Sequence, residues 1–321
     1  MSITLTVAAS DLMRCRFAVS PVWELQGALR TVLYPERHAV HLPWTRATTR
    51  HQDAVRTSVL AQLMPRRGYS PDFLSPPPLS PVATIADDLA RVRATPPDQV
   101  AAELGRVADQ FTEKPASLLA LVDDPLHARD QLATALEHWW THLLAPDWHR
   151  VRDTLEGDIA YRANRLAHGG FERLVADIHV GVRWEADTIV VDGLDDKRTL
   201  GGRGLLFVPS VFAWPSVAVV TDPYWQPTLV YPARGVGALW MRNTSATRKS
   251  IANLLGRTRA AILRELDEPL CTTALAARLG LSPSTASTHL TILREAGLTA
   301  SHRVGHQVCH TLTTLGREFS N

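Results

Sequence analysis

The sequence predicts two parts of different fold class: a long front part, mainly α-helical with a small β-sheet (α+β), and a short C-terminal part of helices closed by a β-hairpin. Three observations carry this. Apolar residues recur at helical spacing through much of the front half, and Trp184 to Tyr231 turns strand-like. From Ala246 onward the chain holds nine Lys/Arg against five Asp/Glu, a net of +4, and all nine tryptophans precede Met241. With 321 residues, 45% hydrophobic and 21% charged, the chain has apolar material for two cores, which excludes a disordered protein.

The three cysteines, Cys15, Cys271 and Cys309, are widely separated and form no CxxC pair. A disulfide framework is not expected, and a reducing cytoplasm suits the chain. The opening residues lack a positive flank followed by an apolar run, so no signal peptide is expected. Gly204 to Thr221 is uncharged over 18 residues. Pro209 and Pro215 interrupt it, and two buried strands joined by a proline turn explain it better than a membrane span.

Taken in order, Ile3, Leu5 and Val7 alternate with Thr4 and Thr6, the period of a strand. Ser20-Pro21 reads as an N-cap with proline at the first helical position, followed by Val22, Leu25, Leu29 and Val32. A second helix is expected from about Thr49 to Met64. Prolines leave Pro65 to Pro81 as a loop. Residues 82–180 read as several helices punctuated by Pro96, Pro115, Pro125 and Pro146. The longest runs from about Asp147 to His168, with Val151, Leu155, Ile159, Arg162 and Leu166 on one face, and Gly169-Gly170 ends or kinks it. Strands follow at 188–191, 205–208, 217–220 and 228–231, in one small sheet to which the first strand can add. A polar stretch, Met241 to Lys249, marks the joint, giving domains 1–245 and 246–321.

The C-terminal part carries the chemistry. Ile251 to Leu266 reads as one helix stopped by Asp267-Glu268-Pro269. Thr272 to Leu279 is a second, with Leu275, Ala276 and Leu279 inward. Gly280-Leu281-Ser282 turns, and a third helix starts with Ser282 as N-cap and Pro283 at its first position, ending at Gly297. Two short helices across a glycine turn make a helix-turn-helix. In the third helix, Ala286, Leu290 and Leu293 form a narrow apolar stripe. Ser284, Thr285, Ser287 and Thr288 are small and hydroxylated, so the helix can enter a major groove and meet base edges. Ser282, His289, Arg303 and His306 are candidates for phosphate or wing contacts. Residues 298–303 and 306–312 form a hairpin, the wing, with Arg303 and His306 near its tip. A short helix over Thr313 to Phe319 is expected to follow. The C-terminal fold class is therefore a winged helix-turn-helix.

This part resembles the ArsR/SmtB winged-helix transcription regulators. The likeness rests on Leu275-Ala276-x-x-Leu279-Gly280-Leu281-Ser282, on Ser284-x-Ala286-Ser287-x-His289-Leu290-x-x-Leu293-x-x-Ala296-Gly297-Leu298, and on Arg303-x-Gly305-x-x-Val308. The resemblance implies a homodimer that binds an imperfect palindrome in double-stranded DNA and usually represses. In the front part, Phe207-Val208-Pro209-Ser210-Val211-Phe212, Trp214-Pro215 and Tyr231-Pro232-Ala233-Arg234-Gly235 resemble the uncharacterised domain fused to such winged helices in actinobacterial regulators. Many relatives sense metal through two cysteines where this chain reads Pro269-Leu270-Cys271-Thr272-Thr273-Ala274-Leu275. Thr273 replaces the second, so no metal or other cofactor is assigned.

Other features read as structure. His302, His306 and His310 fall on a hairpin, where a shared metal is not expected. Cys271 reads as a small buried hydrophobe. Gly201-Gly202-Arg203-Gly204 follows no strand and precedes no helix, so it is a turn rather than a dinucleotide loop. That weakens the alternative of a winged-helix methyltransferase using this domain for protein contacts. Trp139, Trp140, Trp148, Trp214, Trp225 and Trp240 are either core or the lining of an effector pocket. Arg162, Arg165 and Arg234 suit surface salt bridges better than an acidic ligand. The resulting reading is a cytoplasmic, non-enzymatic DNA-binding regulator, a homodimeric repressor with a possible small-molecule effector and no membrane partner.

Overall fold

The computed structural model describes residues 2–66, 68–193, 196–240, 252–266, 269–304, 307–313, 315–316 and 319. Contacts divide the chain into two compact units, Met1–Met241 and Arg242–Asn321. The polar stretch 241–249 lies outside the described residues.

The front unit holds two four-stranded sheets where one was expected. Strand β1 (Ser2–Thr6) does not extend the strands around residues 205–231. The first sheet consists of β1, β3 (Val182–Glu185), β4 (Thr188–Asp192) and β5 (Asp196–Thr199), in the order β3-β4-β1-β5. β1 runs antiparallel to β4, with Ile3 opposite Val191, and parallel to β5, with Ile3 opposite Asp196. The second sheet has the order β2-β6-β8-β7, built from β2 (Arg16–Phe17), β6 (Leu206–Ser210), β7 (Ala218–Val220) and β8 (Thr228–Pro232). Alternation in β1 announces a half-buried strand but not its partner, because pairing is non-local. β5 reads Asp-Lys-Arg-Thr and β2 has two residues, so neither shows a strand period.

The uncharged stretch 204–221 yields β6 and β7 in one sheet. They are not neighbours, since β8 lies between them, and only β6 is buried throughout. Among the described residues no helix is long and apolar enough to cross a membrane. Gly201, Gly202 and Gly204 all take positive φ in the turn before β6.

Helix α1 (Pro21–Leu33) starts where its cap signal lies: Ser20 Oγ accepts from the Trp23 N–H at 3.3 Å. It buries Val22, Leu25, Leu29 and Val32. Glu24 is fully buried too, accepts from the Val211 N–H at 3.1 Å, and is pushed up by desolvation to a pKa of about 8. The helix expected over Thr49–Met64 is broken. Its main pieces are Gln52–Thr57 and Val59–Gln62, separated by extended Ser58 (φ −70°, ψ 151°). Val55, Leu60 and Leu63 still reach one core, so the apolar spacing conceals the break.

Helices α2 (Ile85–Arg93), α3 (Pro97–Ala108), α4 (Ala116–Asp123), α5 (Pro125–Trp139) and α6 (Trp148–Ala176) follow. Pro97 and Pro125 open α3 and α5, where a missing N–H costs nothing. α6 kinks at Gly170 (φ 68°, ψ −168°) and runs on to Ala176. On its face Val151 and Leu155 are buried, while Leu166 is exposed.

Arg162 is not a surface residue. It is buried with its Nε 3.5 Å from Asp158 Oδ2, and Tyr231 donates its O–H to that oxygen at 2.8 Å. The Arg234 N–H donates to Asp158 Oδ1 at 3.1 Å. This buried network ties α6 to β8. Arg165 pairs with Asp177 at 3.3 Å, and the Arg234 guanidinium lies 3.6 Å from the centre of the Tyr161 ring. Of the tryptophans, Trp139 and Trp240 belong to the large helical core, and Trp240 stacks on Trp44 at 5.6 Å. Trp140 meets Trp148 edge-on at 4.9 Å, and Trp214 is exposed.

Candidate nucleic-acid interface

In the C-terminal unit the expected helix 251–266 is broken at Gly256 (φ 86°, ψ 148°), a backbone conformation that suits glycine. Residues 252–255 are helical, and α7 (Arg257–Glu265) follows. Leu254, one of the apolar residues of this stretch, is exposed. Asp267 and Glu268 of the expected stop lie outside the described residues, and α7 ends with Leu266 as C-cap.

Helix α8 (Thr272–Leu279) and helix α9 (Pro283–Glu295) have the expected bounds. Gly280 joins them in the left-handed region (φ 63°, ψ 31°), and the Leu281 N–H reaches back to the Ala276 carbonyl at 2.9 Å. Ala286, Leu290 and Leu293 point inward. Leu290 and Leu293 share a core with Ile262, Leu263, Leu266, Leu275, Leu298 and Leu312.

Three strands complete the unit: β9 (Leu270–Cys271), β10 (Thr299–Val304) and β11 (Gln307–Leu312), in the order β10-β11-β9. The wing therefore has an anchoring strand that its sequence does not announce, since two residues show no period. His306, a candidate at the wing tip, lies outside the described residues, as does Gly305; Arg303 is exposed on β10. Of the expected helix over Thr313–Phe319, Thr313 is not helical, residues 315, 316 and 319 are, and 314, 317 and 318 lie outside the described residues.

The exposed face of α9 opposes its core stripe. Ser282, Ser284, Thr285, Ser287 and Thr288 are all exposed. Ser282 Oγ accepts from the Thr285 N–H at 3.1 Å and lies 2.9 Å from Ser284 Oγ and 2.7 Å from Thr285 Oγ1. Thr288 donates its hydroxyl to the Ser284 carbonyl at 3.0 Å, which leaves its lone pairs to accept. Ser287 is uncommitted among the described residues. Of the hydroxyl residues, helical arithmetic places Ser284, Thr288 and Thr291 furthest from the stripe, with Thr285 and Ser287 on its two flanks. Thr291, half-buried, is absent from the sequence-based candidates, although the step of three from Thr288 points to it. His289 sits on the flank, half-buried, with Nδ1 enclosed and without a partner among the described residues.

His302 lies opposite Cys309, and Ser301 opposite His310. Successive residues face opposite sides of a strand pair, so His302 and His310 do not converge. His310 instead ties β11 to α8 through Thr272 Oγ1 at 3.0 Å. Burial, with Arg294 and His302 nearby, lowers its pKa. Among the described residues no three His, Cys, Asp or Glu side chains gather as a metal site would require. Cys271 is not a buried hydrophobe. It is half-buried beside Thr273 Oγ1 at 3.3 Å, and hydrogen bonds from that hydroxyl and from backbone N–H groups at the start of α8 push its thiol down.

A narrow helix with a hydroxylated face fits a major groove, and the net +4 of residues 246–321 favours phosphate. A helix-turn-helix domain family matches residues 254–302. The C-terminal unit is a helix-turn-helix domain of the ArsR type. This domain makes the chain a DNA-binding transcription regulator. A family of unknown function, DUF5937, matches residues 99–237 of the front unit. Among solved structures, HlyU from Vibrio cholerae is similar at 30% identity over 25% of this chain and 90% of its own, with a TM-score of 0.20. No curated protein matches the chain.

Proposed function

We propose that the regulator is a homodimeric repressor that binds an imperfect palindrome, with the joint between its domains at residues 245–246. The observation that carries this is the exposed hydroxyl face of α9, set by a capped N-terminus opposite a fully packed stripe. Ser284, Thr285, Ser287 and Thr288 meet base edges in the major groove. Ser282, His289, Arg303 and His306 meet phosphates or the neighbouring minor groove. Two copies place their recognition helices about 34 Å apart, one turn of duplex. The front unit serves dimerisation and senses a small molecule whose affinity differs between the DNA-competent and incompetent states. The protein acts by binding rather than catalysis, in the cytoplasm.

Fluorescence anisotropy on duplex DNA from upstream of its own gene, across a salt series with a scrambled duplex as control, tests this. The expected result is preferential binding with a log–log salt slope of about −0.9 per phosphate neutralised. Equal affinity for both duplexes at every salt concentration refutes specific recognition of that site.

A further inference from the structure

Two of the three cysteines meet in the C-terminal unit. Cys271 on β9 lies directly opposite Cys309 on β11 in the antiparallel register. Directly opposite residues send their side chains to the same face of a sheet. The next pair, Leu270 and His310, turns inward: His310 is buried and Leu270 packs against the core. The cysteines therefore take the outer face, where both are half-buried. Their neighbours on that face are His302, opposite Cys309, and Ala300, opposite Thr311. His302 and Ala300 are exposed, so nothing bulky covers the pair from β10.

This register meets the geometric needs of a disulfide. Opposite residues of an antiparallel pair have Cα atoms about 4.5 or 5.5 Å apart, and both separations fall within the range of about 4.4–6.8 Å that a disulfide spans. Their Cβ atoms are about 4.5–5.5 Å apart against about 3.8 Å in the bond, so closure asks for about 1 Å of approach. A shared metal is a poorer fit. His302 and Cys271 stand on either side of β11, about 10 Å apart by strand spacing, and among the described residues no three such groups converge.

The two thiols are unequal. Cys271 is the N-cap residue of α8, with its Sγ 3.3 Å from Thr273 Oγ1. That hydroxyl and the N–H groups at the start of the helix favour its thiolate, the form that attacks. Cys15, in the front unit, is the opposite case. Its Sγ lies 3.3 Å from the Asp11 carbonyl and 3.4 Å from the Leu205 N–H, and burial pushes its thiol up.

We infer that Cys271 and Cys309 form a peroxide-reactive dithiol that closes to a disulfide between β9 and β11. The Cys271 thiolate attacks one oxygen of a hydroperoxide. The O–O bond breaks, hydroxide (or alkoxide) leaves and takes up a proton, and Cys271 becomes a sulfenic acid. The Cys309 sulfur then attacks the Cys271 sulfur. The S–O bond breaks, the Cys309 proton passes to the departing hydroxyl, directly or through the His302 imidazole, and water leaves. Two thiols give up two electrons to one peroxide. A cytoplasmic disulfide of this kind is transient and senses oxidant rather than holding the fold.

Closure draws Cys271 away from Thr273 and pulls β11, a wing strand, toward the first turn of α8. Since α8 packs on α9 within one core, the wing is re-aimed against α9. Lower DNA affinity on oxidation rests on the reading of DNA by α9 and the wing, as proposed above; the disulfide itself does not.

The full chain, reduced and freed of reductant, is treated with hydrogen peroxide. Free thiols should fall from three to one, and dithiothreitol should restore all three. Peptide mapping without reductant should show one linked pair, Cys271 with Cys309, in a species that runs as a single chain on a non-reducing gel, with Cys15 still free. Cys309→Ser should stop at a sulfenic acid on Cys271 that dimedone labels, and Cys271→Ser should give no linked peptide. Absence of the linked peptide, a link between two copies, or a link through Cys15 overturns the proposal. DNA affinity is read by anisotropy on the same samples and should fall about tenfold on oxidation, the worth of one or two hydrogen bonds, and return on reduction. Linkage that leaves DNA affinity unchanged supports the dithiol and refutes its regulatory consequence. Linkage in a protein that ignores DNA supports the dithiol and refutes the DNA reading alone.

Discussion

Replacing Ser287 by alanine removes one hydroxyl from the proposed recognition face with almost no structural consequence. Ser287 is exposed on α9, and among the described residues its side chain makes no hydrogen bond. The neighbouring hydroxyls are engaged: Ser282, Ser284 and Thr285 with one another, and Thr288 with the Ser284 carbonyl. Ser287 is thus the hydroxyl freest to donate or accept at a base edge. Alanine at an exposed helical position is expected to shift stability by no more than about 0.5 kcal/mol. A lost hydrogen bond to a base costs about 0.5–1.5 kcal/mol. Counted twice in the proposed homodimer this is about 1–3 kcal/mol, or about 5- to 150-fold in Kd. Anisotropy against the cognate and scrambled duplexes reads it directly. The cognate Kd should rise by that factor while the scrambled Kd stays nearly constant. An unchanged cognate Kd, or an equal rise on both duplexes, refutes base reading by this residue.

Other perturbations separate the remaining parts. Leu293→Ala empties a site that is 1% exposed in the C-terminal core and should cost about 2–5 kcal/mol; DNA binding is lost, while tryptophan fluorescence is unchanged because every tryptophan precedes Met241. Arg303→Ala should weaken binding on all sequences and reduce the salt slope by about 1, measured by anisotropy across a salt series. Glu24 favours its neutral form in the fold, with a pKa of about 8. The native state therefore binds more protons than the unfolded chain between the ordinary carboxyl range and about pH 8, and this group withdraws stability as pH rises through that window. Glu24→Gln should raise the melting temperature at pH 8.5 and leave it nearly unchanged at pH 5, followed by tryptophan fluorescence.

The bounds of α8 and α9 are legible because local signals set them. Ser282 can cap and Pro283 can begin a helix whatever surrounds them, and Gly280 and Gly297 supply left-handed turns that disfavour other residues. The stripe of Ala286, Leu290 and Leu293 and the hydroxyls opposite follow from helical geometry alone. The same holds for Ser20 before α1 and the kink at Gly170. Where residues have two local options, the sequence misleads. Spacing across residues 49–64 and 251–266 fits one helix in each case, and the breaks at Ser58 and Gly256 leave the apolar pattern almost intact.

What the sequence by itself determined, then, is the helix-turn-helix, its exposed hydroxylated face and the charge that favours DNA, all written within a few turns of chain. Only the tertiary structure decided what depends on distant partners. It divided the strands between two sheets, because β1 finds β4 and β5 rather than β6. It added β9 to the wing, since two residues become a strand only beside β11. It turned Arg162 from a surface cation into the centre of a buried pair. Periodicity records which side of an element is apolar; strand pairing and buried charge depend on what the rest of the chain brings to meet it.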